Sequence, residues 1–247
     1  MRDVFGEIEV LTKGAYAPFA GYLAGPDDDR PSVPATALLD AEMQGAIHDR
    51  FAKRFARFDR RATLSIWMKW HLNVVLPPLL LADVLLAWRL PLALGEVRFV
   101  IGDDVRTVAL KCGGGGCPCV TADPFARFEQ LVFGHFTPFV ALLAARTGLT
   151  KRVLWSNVGN TFEAMLRRIE EVSGGSKRLV AADHLLAAPC WPDGRLNPIF
   201  RAVHYIDEER SHEHRRRKVC CLQYRLPDRR FCKACPIEDA REAAVGC

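Results

Sequence analysis

A chain of 247 residues, 49% apolar and 26% charged, is long enough to bury one large core or two small ones. That balance excludes extended disorder. A net charge of +5 permits an anionic partner without requiring nucleic acid.

The opening MRDVFGEIEV lacks the apolar run of a secretory signal. Residues 1–35 hold Gly-Pro, Asp-Asp-Asp and several prolines, and are expected to be irregular. From Asp40 a helical period sets in, with Ile47, Phe51, Phe55 and Phe58 at steps of four, four and three. Two further helices are predicted, Leu64 to Leu76 and Leu79 to about Trp88, meeting at a break at Pro77-Pro78. The region Leu72 to Leu94 is the most apolar. Asp83 and Arg89 interrupt it, and its longest uncharged stretch near the prolines, Leu72 to Ala82, is eleven residues, against about 20 for a membrane span. A cytoplasmic protein is expected. Stable disulfides are then disfavoured, and clustered cysteines point to metal or redox chemistry.

Glu96 to Leu110 alternates polar and apolar residues around Gly102-Asp103-Asp104, a hairpin signal. KCGGGGCPC follows and reads as a flexible surface loop. Its Cys112, Cys117 and Cys119 could form a second metal site only with Cys190 or Cys247, at a spacing that matches no chelating pattern, so these thiols are taken as adventitious. Asp123-Pro124 opens a helix as N-cap and first residue. Its buried stripe runs through Phe128, Leu131, Val132, His135, Phe136, Phe139 and Leu143. Thr150 caps the next helix, which Gly174-Gly175 closes. Lys177 to Ala188 forms a shorter one, and Phe200 to Ile206 reads as extended. The fold class is α+β, mostly helical with a small antiparallel sheet. We divide it into an irregular segment 1–35, a mainly helical core 36–206 with a hairpin at 96–110, and a cysteine module 207–247.

The module carries the chemistry. Cys220 and Cys221 are adjacent, ten residues separate them from Cys232, and Cys235 completes a Cys-x-x-Cys turn before Pro236. Cys-x-x-Cys alone is shared by zinc sites, iron–sulfur sites and dithiol oxidoreductases. The vicinal pair is the unusual half. Structural zinc favours pairs spaced by two to four residues, whereas a two-iron cluster offers two metals, each needing two thiolates. One assignment gives the adjacent pair to one iron and the Cys-x-x-Cys pair to the other. An iron–sulfur centre, zinc and free thiols all stay open at this point. Arg215, Arg216, Arg217, Lys218, Arg225, Arg229, Arg230 and Lys233 surround the thiols. Near a cluster they would favour its reduced state; taken alone, such a run is a solvated face.

RRRKVCCLQYRLPDRRFCKACP resembles the C-terminal signature of the FhuF-like ferric-siderophore reductases. The match takes in the vicinal pair, the ten-residue gap, the preceding arginines, Tyr224 and the trailing proline. LTKRVLWSNVGNTF, with Trp155 and Asn157, is similar to a second segment of that family. The resemblance implies Cys220, Cys221, Cys232 and Cys235 as ligands of a [2Fe–2S] cluster. It also implies one-electron reduction of ferric hydroxamate siderophores, in the cytoplasm or loosely at the inner face of the cytoplasmic membrane. The implied partners are the ferric hydroxamate and an electron donor, a ferredoxin or flavoprotein, with no nucleic acid. The alternatives are a zinc-stapled basic module that binds nucleic acid or another anionic partner, and an iron–sulfur redox sensor. His212 and His214 are expected in solvent, His71 and His135 in the core, and Trp155, Ser156 and Asn157 in helix packing and local hydrogen bonding, with a nearby substrate cleft as the alternative.

Overall fold

Regular structure begins at the third residue. The Asp3 carboxylate accepts the Gly6 N–H and caps helix α1 (Val4–Lys13), whose Val4 and Ile8 are buried one turn apart. This computed structural model describes residues 2–55, 59–207, 214–227 and 229–237. The expectation of an irregular segment at 1–35 is thereby corrected. Besides α1 it holds a 3-10 turn at Ala17–Phe19 and strands β1 (Leu23–Ala24) and β2 (Ser32–Pro34). The rest, including the Gly-, Pro- and Asp-rich stretch between the two strands, is turn and coil.

Asp40 caps α2 (Ala41–Ala52) by accepting the Met43 N–H, and Ile47 and Phe51 are buried as the period requires. Phe58 lies outside the described residues. Next comes α3 (Arg60–Leu86), a single helix of 27 residues capped by Asp59. The predicted break at Pro77-Pro78 is therefore wrong: both prolines sit inside the helix. Neither offers an N–H, so the Asn73 and Val74 carbonyls lose their helical donors. Packing outweighs that loss, because nearly every residue around the prolines is buried. By length and composition, α3 and the segment Pro124–Thr147 could each cross a membrane, yet 72% of the most apolar window of α3 is buried inside the fold. Such burial marks a core helix.

Strand β3 (Trp88–Arg89) leads to the predicted hairpin of β4 (Val97–Ile101) and β5 (Thr107–Cys112). Val105 turns it in the left-handed region with φ 58°. The sheet has the order β1-β5-β4-β2 and is mixed rather than purely antiparallel, since β1 runs parallel to β5 with Leu23 opposite Leu110. Its inner face lies on α3: the Trp67 indole donates to the Val105 carbonyl at 2.9 Å, and the His71 ring stands edge-on to Phe99. Burial pushes His71 down to about 3 and His135 down to about 4, so both rings are neutral packing groups, as expected.

Strand β6 (Cys117–Pro118) pairs with β3 and gives the glycine loop a fixed course. Gly116 sits at φ +74°, and a Cβ there would collide with the Arg89 carbonyl. The reading of this loop as surface with adventitious thiols is corrected for two of three cysteines. Cys112 and Cys119 are buried, and burial pushes the Cys112 thiol up to about 12; Cys117 is exposed. Cys190 is partly buried, and Cys247 lies outside the described residues.

Asp123 caps α4 (Pro124–Glu129), which passes through a π-helical turn into α5 (Thr137–Thr147). Thr150 caps α6 (Lys151–Ser173), Gly174 ends it at φ 76°, and α7 (Lys177–Ala187) follows. Asp83 of α3 joins these helices: its carboxylate takes Arg127 of α4 and Arg178 of α7. Helix α6 packs along α3 and carries the last hairpin, β7 (Val203–Tyr205) with β8 (Arg215–Arg217), Tyr205 opposite Arg215. Of the predicted extension from Phe200 to Ile206, only β7 is strand.

Candidate functional site

Strand β8 delivers the chain to the four thiols. The Arg217 N–H donates to the Ala234 carbonyl and the Lys218 N–H to the Ala202 carbonyl, each at 2.9 Å, so both ends of the module are tied to the hairpin. The Cys235 N–H closes a turn onto the Cys232 carbonyl, which brings the Cys-x-x-Cys sulfurs to one side. At the vicinal pair the required bend comes from Leu222, in the left-handed region at φ 64°. Its N–H donates to the Cys220 sulfur at 3.3 Å. Leu226, buried at 3% exposure, anchors the intervening loop, and the Tyr224 and Phe231 rings meet across it at 5.3 Å.

The four predicted cysteines lie together in this module and influence one another electrostatically, with one sulfur contact joining the two halves of the motif. Cys221 Sγ lies 3.7 Å from Cys232 Sγ. Among the described residues no three His, Cys, Asp or Glu side chains form a site for a single ion. A two-iron centre takes two thiolates on each iron, whereas structural zinc takes four ligands round one metal. Cys221 and Cys235 are buried, while Cys220 and Cys232 are partly open to solvent. The hydrogen bond from Cys232 holds the Cys221 thiol well below the usual range, with Lys69 and Arg217 adding to it. Burial pushes Cys220 up.

Two cations back the sulfurs from the inside. Arg217 is 1% exposed; its Nη2 donates to Asn157 Oδ1 and lies 3.4 Å from Ser156 Oγ. Its Nε and Nη1 have no hydrogen-bond partner among the described residues. A guanidinium stays charged in proteins, and burying its N–H groups unpaired is costly. Its strongest favourable charge interactions are with Cys221, Cys232 and Cys220. A buried cation with two unpaired N–H groups beside three of the thiols suits a dianionic cluster. Lys69 of α3 supplies the second charge, with Nζ 3.7 Å from Cys221 Sγ and 3.2 Å from Gln223 Oε1.

The arginine run is thus not a solvated face. Arg215 is buried too, bonded through Nε to Glu163 at 2.6 Å and through its Nη atoms to Asn160. Tyr205 donates to the same Glu163. A cavity of about 280 Å³ lined by Gly159, Glu163, Asp183, Arg201 and Tyr205 lies behind this network. Its carboxylates are already engaged by Arg215 and Arg167, so it braces β8. Gly159 permits the close approach of α6 to the hairpin, since a Cβ there would collide with Ala202. Ser156 and Asn157 do more than pack within their helix. Ser156 donates to the Val219 carbonyl at 3.2 Å, and Asn157 links Arg217 to Ser65 of α3. His214 pairs with Asp207 at 2.6 Å, and His212 lies outside the described residues. Lys69 was missed in the sequence because 152 residues separate it from Cys221. The available signal was a lone lysine in the otherwise apolar run from Leu64 to Leu72.

Residues 65–211 match the family described as ferric iron reductase FhuF-like transporter, and residues 217–236 match the FhuF 2Fe-2S C-terminal domain. A ferric siderophore reductase of Escherichia coli (strain K12) is 26% identical over 184 residues, which span 73% of this chain and 67% of the relative. Two structures of the aerobactin synthetase IucA from Klebsiella pneumoniae, one ATP-bound, share the fold, with TM-scores of 0.57 and 0.55 at 12% and 13% identity. Each covers 80% of this chain, which spans about half of either synthetase chain (47% and 48%), and the likeness concerns the fold alone. With its core and its thiol module both matched, the chain belongs to the FhuF-like ferric iron reductases and is an oxidoreductase with a C-terminal [2Fe–2S] domain.

Proposed function

We propose that this protein reduces the iron of an imported ferric siderophore, a hydroxamate complex, by one electron, with Cys220, Cys221, Cys232 and Cys235 as the ligands of its [2Fe–2S] centre. The observation that carries the reading is the gathering of the thiols, backed by Lys69 and the orphaned N–H groups of Arg217. When bound, the centre supplies one-electron transfer. The chain's own residues do the rest. Leu222 and the Cys232–Cys235 turn orient the thiolates, Arg217 and Lys69 offset their negative charge, and partial exposure of Cys220 and Cys232 keeps one side accessible.

The substrate chemistry needs no general base. Ferric ion is hard and is held tightly by anionic hydroxamate oxygens; ferrous ion, less charged, is held far less well. One electron therefore makes an inert chelate labile. Exposed Arg225, Arg229, Arg230 and Lys233 in the same module suit an acidic ferredoxin or flavoprotein as donor. A cytoplasmic location, with loose attachment to the inner membrane face, is part of the same proposal and rests on the family resemblance.

Mixing the dithionite-reduced chain with a ferric tris-hydroxamate and a ferrous chelator tests the reading. We expect one ferrous chelate formed per electron stored. Reoxidation of the chain without ferrous release would identify a sensor instead.

A further inference from the structure

Helix α3 is closed to solvent along most of its length. From Ala62 to Val84 every residue is buried except Lys69, Trp70 and Asn73. These three fall on one face, because Lys69 and Asn73 are four residues apart and Trp70 lies between them. Lys69 turns toward Cys221. Asn73, about 6 Å further along the axis, opens onto two cavities. One, of about 340 Å³, is lined by Tyr22, Trp70, Asn73, Arg106 and Val108. The other, of about 310 Å³, is lined by Phe19, Tyr22, Asn73, Pro77, Thr161 and Arg168. Tyr22 and Asn73 border both. Each cavity falls in the size range of small-molecule sites, about 300–1,000 Å³.

The lining has a consistent character. It combines aromatic faces (Tyr22, Trp70, Phe19), neutral hydrogen-bonding groups (Asn73, Thr161) and two arginines; no aspartate or glutamate borders either cavity. The Arg106 guanidinium lies 4.0 Å from the centre of the Trp70 ring; it shares the Asp104 carboxylate with Arg54, so two arginines on one carboxylate leave a net positive charge beside the mouth. Pro77 leaves the Asn73 carbonyl without its helical donor at the same place. We infer that this window of α3 is the docking site of the ferric chelate, and that it selects complexes of neutral or negative charge over positive ones. The inference rests on the reductase reading and adds to it where the substrate sits and which charge it carries. Lys69 then serves as the short link between bound chelate and sulfurs, a positioning residue one helical turn from the ligand.

Gallium(III) complexes separate docking from electron transfer, since gallium is not reduced. Calorimetry on the full, cluster-loaded chain would compare gallium desferrioxamine B, a cation, with its N-succinyl derivative, an anion built on the same tris-hydroxamate core. We expect the anion to bind more tightly by about fivefold at low salt, with Arg168→Glu abolishing that preference. Asn73→Trp, at an exposed position that tolerates bulk, should weaken both complexes by about tenfold or more. The same variant should keep the wild-type iron and acid-labile sulfide content and far-ultraviolet circular dichroism, which shows that the loss is one of docking and not of folding. Equal affinity of wild type and Asn73→Trp, or preference for the cation, would overturn the site. Ferrous release by the wild type, measured separately, judges the reductase reading itself.

Discussion

Cys221→Ser and Cys232→Ser are each expected to give folded protein that holds little iron or sulfide and has lost ferric-chelate reduction. The two sulfurs lie 3.7 Å apart, and a [2Fe–2S] centre held by four thiolates would lose one ligand by either change. Groups that merely support metal ligands cost 10–100-fold in affinity or activity when replaced, and a ligand itself should cost about that much or more. The fold should survive, because the core that surrounds α3 and α6 is independent of the thiols. Cys112→Ser provides the control: that thiol is buried on β5, far from the module in the contact pattern, and its replacement should leave iron content unchanged. Iron and acid-labile sulfide analysis with far-ultraviolet circular dichroism distinguishes the outcomes. Full iron content in either Cys221→Ser or Cys232→Ser would remove those cysteines from the ligand set.

Arg217→Gln is expected to lower the reduction potential of the centre while leaving it assembled. Among the described residues the buried guanidinium has no partner for Nε and Nη1, and its favourable charge interactions are with the thiols. An added electron increases the negative charge beside it, so the cation favours the reduced form. A hydrogen bond to a charged group contributes about 1.5–3 kcal/mol. Loss of about 2 kcal/mol corresponds to a shift of roughly 90 mV to more negative potential for one electron. Arg217→Lys retains the charge and should fall between the two. Arg215→Gln should act differently: Arg215 is engaged by Glu163 and Asn160, so its loss should weaken the β7–β8 brace and the folded stability more than the potential. Redox titration followed by electron paramagnetic resonance reads the shift. An unchanged midpoint in Arg217→Gln would show that the guanidinium has only a structural role.

Local signals carried far in this chain. The caps at Asp123 and Thr150, the hairpin around Gly102, the apolar stripe of α5 with its preceding turn, and the ending at Gly174 were all legible, because each depends on residues within a turn of one another. Cys220, Cys221, Cys232 and Cys235 were legible from spacing and family resemblance. What was missed depended on packing. Pro77-Pro78 reads as a break unless burial on all sides of α3 is known. The glycine loop reads as mobile unless β6 is seen to pair with β3. Arg215 and Arg217 read as solvated until Glu163, Asn157 and Ser156, some 50 to 60 residues upstream, are placed beside them. Lys69 and the window at Asn73 are beyond local reading for the same reason: their meaning lies in which neighbours leave them uncovered.

The central claim is that the four thiols of the C-terminal module, backed by two cations, hold a two-iron centre that takes up and passes on single electrons. Iron, acid-labile sulfide and zinc analysis of the anaerobically purified chain, joined to electron paramagnetic resonance before and after dithionite, tests it most directly. The account predicts two iron and two sulfide per chain, silent as isolated and giving a spin-one-half signal on reduction. One zinc per chain without sulfide, and no signal after dithionite, would contradict it.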